Sequence, residues 1–318
     1  MKTIVIGGSG YTGRHVVDAC LRNDHEVTVV GRSQPTNLPK EVIFRYGDAS
    51  ALTHDQWLLT LEGNEALVFA AGVDSRAQVP PPSNAFFQRH NVDAVRRMMS
   101  AACEVGITSA VIHGSYNVAL HRQRPEMKLL ERHPYISSRA DQAAQARSVA
   151  GSDCSVAVLE IPYVFGRTPG RPNQFEYMIP WLSGTINLPL MAPPGGTAVV
   201  SASAIGVATC AALTARLDGD FPVTQANLTW TELVSRLAKL AGHPRPGEIR
   251  HLPARLFQRF MQFNGYRDRM RGVDSGLDHK YYSELYTSEM FTPVCLPELG
   301  IDDSDLNDAL RETVSGTT

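Results

Sequence analysis

Hydrophobic and polar positions along the chain alternate between short apolar runs and longer amphipathic stretches. The first apolar run, 2–6, leads through a cluster of glycines into an amphipathic stretch over 14–22. Later apolar runs, each expected to form a buried strand, cover 26–31, 42–44, 66–71, 109–113 and 155–161. Between them, 85–105 and 134–150 carry apolar residues at helical spacing. This alternation predicts an α/β fold, with a doubly wound parallel sheet and right-handed helical crossovers.

Three glycines, Gly7, Gly10 and Gly13, follow the first predicted strand in the order G-x-x-G-x-x-G. The first glycine permits a tight turn, the second lets the backbone approach a phosphate, and the third lets the helix pack closely on the strand. The helix N-terminus adds unpaired N–H groups and a partial positive charge. We therefore predict a dinucleotide-binding turn, although a glycine-rich loop that binds nothing is the alternative. Its predicted contacts are Gly7, Ser9, Gly10, Tyr11, Thr12 and Gly13.

The end of the second predicted strand favours NADP over NAD. An acidic residue there would bond the 2′-hydroxyl of NAD, but 31–33 contains none. Arg32 suits the 2′-phosphate of NADP instead, with Ser33 as a second contact. The alternative is that Arg32 is a solvated residue at a strand end. After the fourth strand, Ala70, Ala71 and Gly72 are small enough for the backbone to pass close to the cofactor.

Composition is that of an ordinary globular protein. The 318 residues are 43% hydrophobic and 19% charged, with a formal net charge of -2, which gives no support to a nucleic-acid or membrane partner. The five cysteines form no C-x-x-C pair, and no group of residues has metal-ligand spacing. No apolar run suits a membrane span or a signal peptide. We expect a cytoplasmic protein with reduced thiols and no metal.

A serine, a tyrosine and an arginine form the candidate catalytic group. Ser115 follows the fifth strand, while Tyr135 and Arg139 lie four residues apart at the start of the helix over 134–150. This arrangement resembles the Ser…Tyr-x-x-x-Lys constellation of the extended short-chain dehydrogenase/reductase family, which includes NAD(P)-dependent epimerases and dehydratases. The resemblance covers nearly the whole chain. Its other matching segments are the glycine motif, Ala70 to Gly72, Asn91, 161–166 and 228–233.

The resemblance implies a role for each of these residues. Hydride transfer to a carbonyl leaves a developing alkoxide that needs a proton donor, which would be Tyr135, with Ser115 holding the substrate oxygen. Arg139 would supply the cation that favours the ionised phenol, on the same helix face. It replaces the family's lysine, so it can bond the cofactor ribose but cannot relay a proton. Further implied cofactor contacts are Asp48 near the adenine, Pro162 and Val164. Asp48 could instead simply open the next helix.

Two further positions depart from the family pattern. Glu160 stands where many relatives carry an arginine, and Ser203-Ala204 stands where relatives usually carry acidic residues. His113 and His133 flank the presumed site, and we read them as structural, with substrate polarity as a lesser alternative for His113. Ser115 lies in no G-x-S-x-G elbow, which argues against a hydrolase.

The function predicted from these features is that of an enzyme, an NADPH-dependent reductase of a ketone or related enone group on a small apolar metabolite. A nucleotide-sugar epimerase or dehydratase is the first alternative. A non-redox isomerase or cyclase, and an NADP-binding sensor without turnover, are the others. The long helices 85–105 and 134–150 resemble those that pair between subunits in the family, which implies a homodimer.

The resemblance also implies two domains. A Rossmann-type NADP-binding domain would cover 1–166, with 198–228 returning to it, and a smaller substrate domain would cover 167–197 and 229–318. Candidates to close the substrate pocket are Tyr281, Tyr282 and Tyr286. The arginine-rich segment 255–272, with interleaved Leu256, Phe257, Phe260 and Met261, is expected to dock on the substrate domain with its arginines in water, rather than to lie on a membrane surface.

Overall fold

A seven-stranded parallel sheet forms the centre of the molecule in the computed structural model, which describes residues 1–35, 37–171, 174–294, 299–302 and 304–315. The strand order is β3-β2-β1-β4-β5-β6-β10. These strands are β1 (Lys2–Ile6), β2 (Glu26–Gly31), β3 (Ile43–Tyr46), β4 (Ala66–Phe69), β5 (Ser109–His113), β6 (Ser155–Glu160) and β10 (Gly219–Pro222). The order reverses between β1 and β4, which confirms the predicted doubly wound α/β fold.

Helices cover both faces of this sheet, which explains why its inner strands are continuous apolar runs rather than alternating ones. On one face lie α1 (Tyr11–Arg22) and α9 (Ala202–Thr214). On the other lie α2 (His54–Leu61), α4 (Ala94–Glu104) and α7 (Pro134–Ala150). The helices α1 and α9 approach closely at Gly206, where a Cβ would lie 2.3 Å from the His15 carbonyl oxygen.

The predicted helix over 85–105 is wrong as one continuous α-helix. It consists of α3 (Ser83–Phe87), a π-helical segment (Gln88–Asp93) and then α4. Asn91 is buried in the π segment and bonds both backbone groups of Val73, accepting from its N–H at 2.8 Å and donating to its oxygen at 3.2 Å. The wider turn therefore places an amide against the loop that follows β4. Pairing of two copies through α4 and α7 stays a prediction.

The region after β6 builds a second, smaller arrangement of short strands and helices. The strand β9 (Gly196–Ser201) pairs with β7 (Tyr163–Phe165), β11 (Ala226–Thr229) and β13 (Glu289–Met290), and β8 (Met191–Ala192) pairs with β12 (Arg250–His251). The remaining helices are α5 (Tyr116–Gln123), α6 (Leu129–Arg132), α8 (Ile179–Leu182), α10 (Trp230–Leu240), α11 (Ala254–Met270), α12 (His279–Tyr286) and α13 (Leu306–Val314). The predicted domain boundaries stay a prediction.

Helix ends follow their local sequence. Pro134 occupies the first position of α7, where its missing N–H costs nothing, and Gly151 ends the helix with a φ of +59°. Thr229 and Glu232 cap α10 reciprocally, since each side chain bonds the backbone N–H of the other. In the part of the chain that the structure describes, no helix is both long and apolar enough to cross a membrane.

Candidate active site

A cleft of about 910 Å³ lies at the carboxyl ends of the central strands. The glycine turn lines one end, and aromatic side chains from the second half of the chain line the other. It brings together nearly every residue predicted to form the site. These are Gly7, Ser9, Gly10, Tyr11, Thr12, Arg32, Ser33, Asp48, Ala70, Ala71, Gly72, Ser115, Tyr135, Arg139, Pro162 and Val164.

The glycine turn depends on close backbone contacts. Gly7 has a φ of +84°, and its N–H donates to the Val30 oxygen at 2.8 Å. Gly13 lies behind the turn and outside the cleft lining: a Cβ there would lie 2.2 Å from the Gly7 oxygen. A side chain at Gly13 would therefore push α1 away from the glycine turn. This would displace the backbone N–H groups at the start of the helix.

Two contacts tie this turn to the loop after β7. The Tyr11 hydroxyl donates to the Gly166 oxygen at 2.7 Å, and burial, with the nearby Glu312 charge, raises the pKa of that phenol to about 12. Arg171 Nε donates to the Ser9 oxygen at 2.8 Å. Sequence reasoning missed Arg171, which joins the turn from 162 residues away and lines the cleft.

The ends of β2 and β3 carry the predicted adenosine contacts. Arg32 is exposed, lines the cleft, and has no hydrogen bond or ion pair within the described ranges. The Asp48 carboxylate accepts from the Ser50 N–H at 2.9 Å and from its hydroxyl at 2.8 Å. Partial burial opposes ionisation of Asp48, but these bonds and the charge of Arg32 outweigh it and lower the pKa of the carboxyl. Within the described residues, Arg32 therefore acts on Asp48 by its charge alone and forms no hydrogen bond or ion pair with it.

Ser115 is fixed by its position at the start of α5. Its buried Oγ accepts from the N–H of Asn117 at 3.3 Å and from Asn117 Nδ2 at 3.2 Å. Because both bonds are accepted, the hydroxyl hydrogen of Ser115 remains available as a donor. Asn117 Oδ1 is buried and finds no partner among the described residues. Asn117 lines the same cleft and was also missed from sequence.

Tyr135 occupies the first turn of α7. Its backbone N–H donates to the Gly276 oxygen at 3.0 Å, and its ring meets Phe87 edge to face at 5.8 Å between centroids. A Cβ on Gly276 would lie 2.7 Å from Tyr135 Cβ, so the segment before α12 packs tightly on this tyrosine. Tyr135 is 6% exposed and lines the cleft.

Arg139 lies one turn further along α7 and is almost wholly buried. It donates to the backbone oxygens of His113 at 3.2 Å and Val73 at 2.9 Å, and to Gln142 Oε1 at 2.9 Å. Its guanidinium carbon lies 5.2 Å from the centre of the Tyr135 ring. The arginine is therefore a fixed cation that fastens α7 to the loop after β4 and to the end of β5, beside the Tyr135 ring.

His113 is engaged at both ring nitrogens, with Thr12 Oγ1 at 3.2 Å from Nδ1 and Thr209 Oγ1 at 3.1 Å from Nε2. Burial, and next the charge of Arg139, lowers its pKa to about 3. Both nitrogens of this neutral ring are used in hydrogen bonds within the protein, so neither is left to bind a substrate. His113 instead joins α1, β5 and α9.

His133 gives a prediction for acid stability. Burial lowers its pKa to about 4, since the opposing effect of Asp278 is smaller. Below pH 6.5 the unfolded chain binds a proton that the folded chain does not, so stability present above pH 6.5 is lost as the pH falls toward 4. Because the unfolded chain binds this proton, His133 should lower the free energy of unfolding by about 2 kcal/mol between pH 7 and pH 5.

The measurement is urea unfolding at both pH values. His133→Gln keeps a side-chain oxygen that can accept from the Asp278 N–H. In this variant, the decrease in unfolding free energy from pH 7 to pH 5 should be smaller by about 2 kcal/mol. The exposed His251→Gln should keep the full loss. An unchanged loss in His133→Gln would contradict this account of the pH dependence.

The two other departures from the family pattern have local partners. Glu160 is buried at the end of β6 and bonds Arg122 at 2.7 Å, although burial keeps the pKa of its carboxyl raised. Arg122 also lies 3.4 Å from Asp220, which pairs with Arg147. The hydroxyls of Ser201 and Ser203 both donate to Asp305 Oδ2. A carboxylate from near α13 therefore lies at the start of α9.

Aromatic residues and one arginine lie at the end of the cleft away from the glycine turn. Tyr286 stacks on Trp230 at 5.1 Å and on Tyr282 at 4.4 Å, and both tyrosines line the cleft, whereas Tyr281 does not. Arg76, from the loop after β4, pairs with Asp74 and donates to Gln174 at 2.8 Å. No local pattern marks Arg76, because only the folded loop brings it to the cleft.

Comparisons with known proteins identify the family of this chain. The model of the NAD dependent epimerase/dehydratase family matches residues 3–190. A curated relative is the 4-hydroxy-2-methyl-3-oxo-4-farnesyl-3,4-dihydroquinoline-1-oxide ketoreductase of Stigmatella aurantiaca, 28% identical over 175 residues, or 52% of this chain. The match covers 51% of that protein, so the chain spans about half the length of the curated relative it matches.

Solved structures share the fold over the full length. The crystal structure of gox2253 has a TM-score of 0.75 at 18% identity, covering 99% of this chain and 97% of the other. The human epimerase family protein SDR39U1, solved with NADPH, has a TM-score of 0.65 at 16% identity, covering 100% of both chains. With the family match over more than half of the sequence, the resemblance inferred from the glycine turn and the Ser–Tyr pair is confirmed. The chain belongs to the NAD dependent epimerase/dehydratase family, within the extended short-chain dehydrogenase/reductases.

Proposed function

We propose that the protein is an NADPH-dependent reductase of a ketone or enone group on a small apolar molecule. One observation carries the proposal: the glycine turn, Arg32, Ser115 and Tyr135 line a single continuous cleft. Nucleotide-binding features at one end and a proton-donating pair further along it are what hydride transfer to a carbonyl requires.

The residues of the cleft fit a nicotinamide dinucleotide. The turn leaves no room for a side chain at Gly7, where a Cβ would lie 2.9 Å from the Ala71 backbone. The N-terminus of α1 carries no acidic residue in its first turn, which suits a pyrophosphate. Arg32 and Ser33 would hold the 2′-phosphate, and Asp48 the adenine. The bound nicotinamide would supply the hydride.

The protein's own residues would then handle the proton. Ser115 would donate to the substrate oxygen, because Asn117 occupies the lone pairs of its Oγ. Tyr135 would pass its phenolic proton to the same oxygen as negative charge develops there. Arg139 would keep α7 and the strand ends in place and present its charge to the Tyr135 ring. As a permanent cation it would stabilise charge without exchanging protons.

The substrate end of the cleft favours an apolar molecule with one polar group. Phe175, Leu277, Leu285 and Met290 line it together with the tyrosines, and Arg76 offers a cation there. The curated relative is named as a ketoreductase of a farnesylated quinoline oxide, a largely apolar ring ketone. That name supports the reaction class and a lipophilic substrate here.

The test is NADPH oxidation across a panel of apolar ketones and enones, followed at the nicotinamide absorbance. NADPH should be oxidised in the presence of at least one ketone or enone of the panel, and should not be oxidised when no such compound is added. Tightly retained NAD in the purified protein, identified by mass spectrometry, would instead support an epimerase or dehydratase, which the family description also covers. Binding of NADPH with no turnover on any member would favour the sensor or isomerase alternatives.

Arg32 gives a prediction for cofactor choice. Arg32→Ala should weaken NADPH binding about tenfold to a hundredfold, because a charge-assisted bond to the 2′-phosphate contributes about 1.5–3 kcal/mol. NADH binding should change little, and calorimetry measures both. Lys40→Ala, which removes an exposed cation outside the cleft lining, is the control. Equal weakening of NADPH and NADH would exclude Arg32 as the 2′-phosphate contact.

A further inference from the structure

The outer face of α11 is apolar and exposed. Leu256, Phe260, Phe263 and Met270 are 55%, 59%, 64% and 71% exposed. Their spacing of four, three and seven residues places them on one side of the helix. Tyr266, 63% exposed, lies next to this stripe. Large side chains so exposed on one helix mark a contact surface rather than scattered surface residues.

The same helix is strongly basic. Arg255, Arg259, Arg267 and Arg269 are exposed along it, and Arg271 follows its end. None of the five has an ion pair within the described part of the chain. The acidic residue of the helix, Asp268, faces inward and lies 3.3 Å from His279 Nε2. The outer side of α11 therefore combines an apolar stripe with uncompensated positive charge.

The inner side of α11 packs on α12, the helix that closes the substrate end of the cleft. A Cβ on Gly265 would lie 2.6 Å from His279 Cβ, and Phe257 meets Tyr286 at 6.2 Å between ring centroids. Tyr286 lines the cleft. Just before α11, Arg250 in β12 pairs with Met191 in β8, a methionine that is 41% exposed. The exposed surface thus lies one helix away from the substrate end.

We propose that α11 binds the surface of an anionic lipid bilayer, lying in its plane. The apolar stripe would enter the acyl boundary while the arginines pair with anionic headgroups, the arrangement of interfacial amphipathic helices. Charge complementarity selects this occupant, because five arginines without an ion pair among the described residues surround the stripe and favour a negative partner surface. The expectation from sequence that 255–272 does not lie on a membrane surface rested on the near-neutral net charge of the whole chain, which conceals this local concentration of arginine.

The position of α11 gives this binding a consequence, which rests on the proposed function. A lipophilic ketone dissolved in the bilayer would meet the protein on the side where α12 closes the cleft. The enzyme would then take its substrate from the membrane interface rather than from free solution.

Vesicle flotation with the full chain tests the proposal without any turnover. Binding is expected to vesicles of phosphatidylcholine with phosphatidylglycerol, to fall as salt is raised, and to be weak on phosphatidylcholine alone. Phe260→Glu combined with Phe263→Glu should lower the partition coefficient about tenfold or more. Leu59→Glu, at a leucine 73% exposed on α2, should leave it unchanged.

Other results would overturn the proposal. Absence of binding to the anionic vesicles, or an equal loss in Leu59→Glu, would exclude a lipid-binding helix. A change in mass by light scattering without vesicles, seen only in the Phe260/Phe263 variant, would assign the face to a second copy of the chain. Because the readout is binding, these outcomes are separate from failure of the reductase assay.

Discussion

Replacing Tyr135 with phenylalanine is expected to reduce turnover about 100- to 10,000-fold, the usual contribution of a positioned general acid. The ring packs edge to face on Phe87 and the Gly276 segment packs on the Cβ, so the phenylalanine ring should keep its place. NADPH affinity should therefore stay within a factor of about two, since the predicted phosphate and adenine contacts lie elsewhere in the cleft. The measurements are kcat with a substrate identified from the panel and the Kd of NADPH by calorimetry.

Tyr281→Phe is the matched control, because Tyr281 also lies at the start of a helix but does not line the cleft. It should retain full activity. Undiminished turnover in Tyr135→Phe would transfer the acid role to another group of the cleft, whose lining also includes the phenols of Tyr282 and Tyr286. Burial raises the pKa of both these phenols, so either would be a weaker acid than an ordinary tyrosine.

Gly13→Ala is expected to weaken NADPH and NADH binding alike, by about 100-fold or more. Its Cβ would lie 2.2 Å from the Gly7 oxygen and 2.9 Å from Gly8 Cα, so the turn or α1 must move. Loss of two backbone N–H bonds to a pyrophosphate costs about 3 kcal/mol or more, which gives that factor. Calorimetry with each nucleotide measures it.

Gly247→Ala is the control substitution, since a Cβ there has no neighbour within 4 Å. A second comparison separates loss of the turn from loss of the fold. Gly206→Ala disturbs the α1–α9 contact through the His15 oxygen but leaves the turn itself intact, so it should lower the unfolding temperature more than the affinity. Unaltered nucleotide binding in Gly13→Ala would mean that the turn does not hold the pyrophosphate.

The sequence predicted the frame of the fold because its signals are local. The run 109–113 forms β5 as predicted, and α7 begins at Pro134 and ends at Ala150 as predicted. The break in the helix over 85–105 was missed because its cause is not local. In the π segment, Asn91 forms hydrogen bonds with Val73 and Ser138. The spacing of apolar residues within the helix does not depend on those distant partners, so it could not predict the break.

In the candidate site too, residues within local motifs could be predicted and residues outside them could not. The glycine turn and the Tyr135–Arg139 pair lie within short motifs, so their shared position could be predicted, whereas their roles stay predictions. Arg76, Asn117 and Arg171 were missed because each comes from a loop or helix start without a motif. Arg171 meets Ser9 across 162 residues, a distance at which only the folded chain defines the neighbours.

The ion pair between the buried Glu160 and Arg122, whose side chain is 44% exposed, has a consequence for how such sequences diverge. The family's arginine at the end of β6 is absent, and the positive charge comes from α5 instead. Changing Glu160 alone to arginine would place two cations side by side, while changing Arg122 alone would leave the buried Glu160 carboxylate without its ion-pair partner. Because the carboxylate is the buried partner, loss of Arg122 is expected among homologues only where position 160 changes as well.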